Sequence, residues 1–230
     1  MESPPTGPAV TVPGATCRLR PSPSAVAVRL DGLRARDAQA LAALTARLPE
    51  PPWDAEVPAD DPVAGLLRQA GWEQYAAGPL LARAADGLAP GTRPAGVEIL
   101  PYRNDLGAEF TVAESAAMEG VGAYAELGSP SGYEWGEGQG AFVMARRRGD
   151  IVGFAHADLP DGWLDWFGVV PSARGEGVGR ALIAAVAAAV REARGTHLVA
   201  FVEDGLPAVG FLRALGFAER GRRVRLIRRA

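Results

Sequence analysis

The stretch that most constrains the fold is "VVPSARGEGVGRALIAAV", residues 169–186. An apolar, strand-like run ends at Pro171, and an alanine-rich helix begins a few residues later. Between them stand Gly175, Gly177 and Gly179. The backbone N–H groups in the first turn of a helix have no partner inside the helix, and they carry the positive end of its dipole. Glycines at this point predict a site where the main chain touches an anion such as a diphosphate.

Three nearby residues refine this interpretation. Arg174 adds a permanent, fork-shaped positive charge beside the glycines. Pro171 cannot donate a hydrogen bond to a neighbouring strand, so it ends strand pairing and helps to open a cleft. The spacing differs from the dinucleotide-binding pattern Gly-x-Gly-x-x-Gly, because Arg180 occupies the third glycine position. The alternative is a plain flexible turn, which the arginine, the three glycines and the immediate helix together disfavour.

The composition is that of an ordinary globular protein. The chain has 230 residues, of which 48% are hydrophobic, and a formal net charge of −3. This small charge gives no argument for a nucleic-acid or membrane partner, and no apolar run approaches the roughly 20 residues that span a bilayer. The basic C-terminal segment 219–229 is better explained as a charged edge strand than as a site for a phosphate group, an acidic partner or a nucleic acid. A single cysteine, Cys17, rules out an internal disulfide and favours a cytoplasmic location.

Lysine is missing from the sequence, and all 24 basic residues are arginine. A Walker A phosphate-binding loop and a protein kinase each need a particular lysine, and Schiff-base chemistry needs an amine side chain. These three classes of function are therefore excluded.

The chain divides at residues 86–96, "DGLAPGTRPAG", whose glycines and prolines predict a linker. It separates an N-terminal domain, residues 1–90, from a C-terminal domain, residues 97–230. Strands predicted early in the C-terminal domain give way to alternating strands and helices, which indicates a mixed α/β fold. The predicted strands there are 97–100, 141–147, 151–158, 162–170, 197–202 and 223–227, and the predicted helices lie within 105–124, 177–195 and 206–215.

The N-terminal domain contains a truncated repeat of the C-terminal one. Residues 26–44 align without gaps on residues 167–185, and both segments run from a strand into an alanine-rich helix. Residues 61–72 match residues 205–217 at a proline, two glycines and a Leu-Arg pair. The N-terminal copy has arginines and an alanine in place of the three glycines. It therefore keeps the order of strand and helix but lacks the glycine loop. A chance match between two alanine-rich helices is the alternative.

The glycine loop resembles the pyrophosphate-binding loop Arg/Gln-x-x-Gly-x-Gly of the GNAT superfamily of acyl-CoA N-acyltransferases. The matching residues are Arg174, Gly177 and Gly179, preceded by Val169-x-Pro171. The resemblance covers residues 97–230 and includes the later "A…LGF" block from Ala208 to Phe217. The N-terminal domain then resembles the degenerate half of a tandem member of the superfamily.

The resemblance implies a fold, a co-substrate and an acceptor. The fold would be a mixed sheet, flanked by helices, whose fourth and fifth strands splay apart to hold acetyl-CoA or another acyl-CoA. The acceptor would be a primary amine of a small molecule or peptide that attacks the thioester directly, and a homodimer is left open. The residues implied in cofactor binding are Phe167, Gly168, Val169, Arg174, Gly175, Glu176, Gly177, Val178, Gly179 and Arg180.

Two residues that are common in the family are missing, and one of them is an asparagine, at whose position Gly205 stands. GNAT enzymes often carry a tyrosine that protonates the departing CoA sulfur, and Leu212 stands at that position. A thiol has a pKa near ~8.5, so releasing the thiolate at pH 7 forgoes only about 2 kcal/mol of protonation, which water can supply. The leucine nevertheless keeps open a second hypothesis, a non-catalytic protein that binds acyl-CoA or acts as a scaffold.

An amine acceptor also needs a base, because an alkylammonium group is almost fully protonated at pH 7. Strand alternation in "WLDWFGV" places Asp165 on the same face as Trp163 and Phe167, beside the expected acyl group. Asp165 is the first candidate base, followed by His156 on the preceding strand and Glu134 in the segment 129–140. Two histidines and one cysteine form no recognisable metal-binding pattern, so we expect no metal.

Overall fold

The computed structural model describes residues 8–21, 28–88, 94–119, 121 and 140–229. Eleven strands and five helices of two turns or more lie within these ranges. The strands are β1 (Ala9–Val12), β2 (Ala15–Pro21), β3 (Val28–Ala35), β4 (Trp53–Pro58), β5 (Glu73–Ala84), β6 (Val97–Pro101), β7 (Gly140–Arg147), β8 (Asp150–Asp158), β9 (Leu164–Val169), β10 (His197–Phe201) and β11 (Ala218–Arg228). The helices are α1 (Ala38–Thr45), α2 (Pro62–Gln69), α3 (Gly107–Met118), α4 (Val178–Glu192) and α5 (Pro207–Ala214).

The strands form two sheets. One is the antiparallel sheet β6-β7-β8-β9, and the other has the order β1-β2-β3-β4-β11-β5-β10. The pair β3–β4 is parallel, while the other pairs in the larger sheet are antiparallel. The predicted mixed α/β fold is therefore confirmed.

The two sheets meet just before β9 and at the middle of β10. In the described part of the chain, one isolated parallel bridge joins them, between Trp163 and Val199. Beyond this bridge the two strands diverge, as expected for the splayed central strands. Each strand thereby keeps an edge facing a cleft instead of a partner.

The halves of the chain interlock through their last strands. β5, from the N-terminal half, lies between β10 and β11, and β11 in turn lies between β5 and β4. The prediction of an edge strand at residues 219–229 is therefore wrong, because β11 has a partner on each side. The seven-stranded sheet is thus built by both halves. The division into domains at residues 86–96 stays a prediction, and residues 89–93 of that segment lie outside the described ranges.

The order β3-α1-β4-α2-β5 occurs again as β9-α4-β10-α5-β11. Helices α2 and α5 begin at the prolines that the alignment matched, Pro62 and Pro207. The other aligned block is wrong by one residue, because the residue that precedes the helix is Asp37 in the first copy and Gly177 in the second. Asp37 uses its own carboxylate to cap α1, accepting the Ala40 N–H at 2.8 Å.

The helices pack on different parts of the two sheets. Helix α4 packs on β7 and β8 from one side, and α3 packs on β8 and β9 from the other. Helices α1 and α2 pack on strands of the N-terminal half, and α2 also packs on β11. They enclose a second core, to which β11 contributes Val224 and Leu226. Among the helices within the described ranges, none has the length and apolar character needed to cross a membrane.

Candidate active site

A cavity of about 530 Å³ opens where β9 and β10 diverge. Its wall is formed by β9, β10, α5 and the loop before α4, together with residues of the N-terminal half. Nine of the ten residues predicted to bind the cofactor line it: Phe167, Gly168, Val169, Arg174, Gly175, Gly177, Val178, Gly179 and Arg180. The structure therefore brings the glycine loop and the open edge of β9 to one cavity.

Gly175 and Gly177 give this loop its course. Their φ angles are +77° and +87°, in the left-handed region that favours glycine. Gly177 is the N-cap of α4, and no side chain caps that helix terminus. The first-turn N–H groups of a 15-residue helix therefore meet the cavity without an acidic side chain over them.

Gly179 has a different role from the other two glycines. It lies inside α4, and a Cβ atom there would approach Phe211 Cζ to 3.0 Å. Phe211, on α5, also lies within 6.2 Å of the Phe167 ring, centroid to centroid. Gly179 thus lets α4 and α5 approach closely beside the cavity, as the absence of a side chain allows.

The two charged residues of the loop are engaged by protein groups. Arg174 donates from Nε to the Val169 carbonyl and from a terminal nitrogen to the Ala117 carbonyl, each at 3.0 Å, and so ties β9 to the end of α3. Glu176 does not line the cavity, and its carboxylate accepts a hydrogen bond from Arg147 on β7. The structure thus places Glu176 away from the other nine predicted residues.

Asp165 and His156 are brought together. Leu164 lies opposite Ala157 and Trp166 opposite His156, so Asp165 is the extra residue of a β-bulge. The expected alternation fails here: Asp165 and Trp166 share the α3 side of β9, while Phe167 packs on the α4 side.

Asp165 Oδ1 lies 2.7 Å from His156 Nδ1 and lines the cavity. The imidazole is buried, with the Phe142 ring edge-on at 5.7 Å. The possible ligand atoms of His156, Asp158 and Asp165 all lie within 4.8 Å of one another. Asp165 and His156 thus form one hydrogen-bonded pair, which meets the cavity through Asp165.

Two further acids are Glu134, which the sequence predicts as a base, and Glu114 on α3. Glu134 lies outside the described ranges. Glu114, which sequence reasoning did not single out, is fully buried on α3, and together with burial it raises the pKa of Tyr102. Its position could have been noticed, because an acid on the apolar side of a predicted helix interrupts the pattern.

Sequence reasoning also missed the contribution of the N-terminal half to the cavity wall. Arg29 on β3 and Tyr75 on β5 line the cavity, as does Arg225 on β11. These three strands carry other charged side chains as well, among them Arg34, Arg83 and Arg222, so no local signal in the sequence singles out the three residues on the cavity wall.

Asp54 on β4 anchors this wall. It accepts two hydrogen bonds from Arg29, at 2.8 and 3.0 Å, and one from the Tyr75 hydroxyl at 2.8 Å. Burial would raise the pKa of Asp54, but the charges of Arg29 and Arg225 outweigh it and hold that pKa below its usual range. Burial and the charge of Asp54 raise the pKa of Tyr75, so its hydroxyl stays protonated.

The family model described as "Acetyltransferase (GNAT) family" matches residues 104–217, which include the loop, β9 and α5. These residues form a GNAT acetyltransferase domain. The predicted family and class of enzyme are confirmed, and we assign the chain as an acyltransferase. No curated protein sequence is similar enough to the chain to identify a relative.

Solved structures share the fold of the GNAT domain and of the half before it. A GCN5-related N-acetyltransferase from Kribbella flavida is 20% identical, with a TM-score of 0.66 over 96% of this chain and 89% of that one. A tandem GNAT protein from the clavulanic acid biosynthesis pathway is 19% identical, with a TM-score of 0.61 over 94% and 79%. A functionally unknown protein from Staphylococcus epidermidis is 13% identical, with a TM-score of 0.68 over 97% and 94%. At these identities the likeness shows the fold.

Proposed function

We propose that this protein transfers the acetyl group of acetyl-CoA to a primary amine of a small molecule or peptide. One observation carries the proposal: a single cavity joins the uncapped N-terminus of α4 to the hydrogen-bonded pair Asp165–His156. The first of these features suits the phosphates of CoA, and the second suits a protonated amine.

The residues on the wall fit acetyl-CoA as a co-substrate. The main chain of Gly175–Arg180 would hold the diphosphate, because its two left-handed glycines turn bare backbone toward the cavity. The edge of β9 at Phe167–Val169, which diverges from β10, would pair with the pantetheine amides. Acetyl-CoA supplies the thioester carbonyl that the amine attacks.

In this proposal, the residues on the cavity wall handle the protons of a direct transfer. Asp165 accepts a proton from the acceptor's ammonium group, while the buried His156, held at 2.7 Å, orients the carboxylate. Asp165, which lines the cavity, later returns this proton to water there. The freed amine nitrogen forms a bond to the acetyl carbon, a backbone N–H of β9 stabilises the oxyanion, and the C–S bond then breaks. The amine's second proton leaves with the thiolate, which gives the amide and free CoA.

Leu212 cannot donate a proton to the leaving sulfur. It is fully buried in the core beneath α5. A thiol of pKa ~8.5 costs only about 2 kcal/mol to release unprotonated at pH 7, so water reaching the cavity is sufficient. Transfer without a tyrosine at this position is therefore slower by a modest factor and still feasible.

The test is to incubate the full chain with acetyl-CoA and a panel of primary amines, following thiol release and confirming the acetylated product by mass spectrometry. We expect product with at least one amine. Asp165→Asn should lower kcat by about 10²- to 10⁴-fold, the usual contribution of a general base. Asp150→Asn, at the exposed turn between β7 and β8, is the matched control and should leave kcat unchanged.

Two results would contradict the proposal. Saturable binding of acetyl-CoA with no product from any amine would favour the non-catalytic acyl-CoA-binding protein. A normal kcat in Asp165→Asn, with unchanged dependence on pH, would remove Asp165 from the mechanism.

A further inference from the structure

One wall of the cavity carries a cluster of arginine side chains that is not part of the proposed phosphate site at the glycine loop. It consists of Arg29 from β3 and the β11 pair Arg223 and Arg225, with Asp54 and Glu56 of β4 between them. Arg29 and Arg225 line the cavity itself. The cluster lies on the N-terminal half and the last strand, away from the glycine loop in the chain.

The arginine cluster and Asp165 occupy the same side of the sheet. Successive side chains of a strand point to opposite faces. Leu198, Ala200 and Val202 of the β10 segment pack on the α4 side, so Phe201 lies on the other side, where the Arg225 guanidinium stacks 4.4 Å from its ring centre. Arg223 lies 5.8 Å from the Trp163 ring, two residues before Asp165. The cluster therefore continues toward the proposed base.

Buried acids hold these guanidinium groups in place. Two Arg29 nitrogens lie 2.8 and 3.0 Å from Asp54 Oδ2, and Arg225 lies 2.9 Å from Glu56 Oε2. The side chains of Arg29 and Arg225 are only 9% and 13% exposed. Arg225 is thus fixed by Glu56 on one side and by the Phe201 ring beneath it, so it enters the cavity wall with little freedom to lose on binding.

Such a cluster is costly if it serves packing alone. Buried ion pairs are often no more stabilising than apolar residues of the same volume, because each charge loses its hydration. Placed on a cavity, however, oriented guanidinium groups bind carboxylates through paired N–H donors. Among the described residues, Asp165 and Glu203 are the acids that line the same cavity. The cavity therefore presents carboxylates and guanidinium groups to one ligand.

We infer that the acceptor is an amino acid, in the broad sense of a molecule carrying both a primary amine and a carboxylate. Its ammonium group is directed to Asp165, and its carboxylate is bound by Arg225 with Arg29 behind it. This inference rests on the proposed function for the role of the amine, while the carboxylate site stands on the arginine cluster alone.

The experiment measures binding and needs no turnover. ω-Amino acids from glycine to 6-aminohexanoate, and the neutral carboxamide of each, are titrated calorimetrically into the full chain with and without CoA. We expect at least one acid to bind 10-fold or more tightly than its carboxamide. Arg225→Gln should abolish that preference, and Arg225→Lys should restore part of it. Arg222→Gln, an exposed neighbour on β11 paired with Asp204, should preserve it.

The outcomes separate this inference from the proposed function. Equal binding of acid and carboxamide at every length in the unaltered protein overturns the inference, as does a preference that survives in a folded Arg225→Gln. A preference for the acid without acetylation of any amine supports the carboxylate site and counts against the proposed function. Acetylation of amines without a preference for the acids supports the proposed function and overturns the carboxylate site.

Discussion

The N-cap residues of α1 and α4 account for the chemical difference between two helices in equivalent positions. Asp37 places a carboxylate on the first-turn N–H groups of α1, and the hydrogen bond from Ala40 lowers the pKa of that carboxyl. An anion arriving there would meet a negative charge and amides already in use. Gly177 brings neither a charge nor a side-chain cap, so of these two helices α4 is the one that the proposed function assigns to the phosphates.

Gly177→Val should weaken the binding of CoA and acetyl-CoA by at least ~10-fold, or about 1.4 kcal/mol. A valine strains the left-handed backbone at φ +87° and covers the amides with a branched side chain. Gly149→Val is the matched control, since Gly149 has φ +96° in the β7–β8 turn with open space around it. Calorimetric titration measures both. Equal affinity in Gly177→Val and the unaltered protein would show that the loop does not bind the diphosphate.

The role of a residue can be predicted from the sequence where one short local pattern determines it. The glycine loop is such a pattern, because a strand, three glycines and a helix follow one another within a few residues. The side of β9 on which Asp165 lies was not predictable, because the bulge depends on how β9 is aligned with β8. Arg29 and Arg225 are far apart in the chain, so their shared cavity follows only from the way β3, β4 and β11 pair.

At the level of elements, the strands and helices were easier to predict than the order of the strands in the sheet. The sequence predicts most strands and helices of the C-terminal half to within a few residues, because their hydrophobic periods are clear. Strand order was not predictable in the same way. The pairing of β5 with both β10 and β11 is long-range, and no local propensity distinguishes it from pairing within one half.

Close contact between β5 and the segment after β10 gives a test of this order. A Cβ atom at Gly78 would overlap the Val202 carbonyl oxygen and approach Asp204 N to 3.1 Å. Gly78→Ala should therefore lower the free energy of unfolding by about 1–3 kcal/mol, as overpacking typically does. Gly65→Ala, inside α2 with open space around it, should raise that free energy by about 0.5–1 kcal/mol.

Thermal and denaturant unfolding of the two variants supply the measurement. If Gly78→Ala were as stable as the unaltered protein, β5 could not lie so close to the backbone at Val202. The opposite sign expected for Gly65→Ala controls for a general effect of replacing glycine by alanine.

At the scale of the whole molecule, the interlocked strands make the stability of each half depend on the other. Within the described ranges, β10 pairs with β5 and β11 lies between β5 and β4, so the strand partners of β10 and β11 belong to the N-terminal half, apart from the single bridge between Val199 and Trp163. Deleting residues 1–96 would expose the edges of both strands and the apolar side chains that they share with β5. Unpaired edges of this kind promote association between chains.

A fragment of residues 97–230 should therefore aggregate, or unfold at a lower temperature than the whole chain, even though it contains the entire GNAT domain. Light scattering and thermal melting at equal concentrations compare the two. Adding a separately produced fragment of residues 1–96 should restore part of the lost stability, because it returns β4 and β5 to the sheet. A fragment that stays monomeric and melts with the whole chain would mean that the N-terminal half is an independent appendage. In that case Arg29 could not belong to the working cavity.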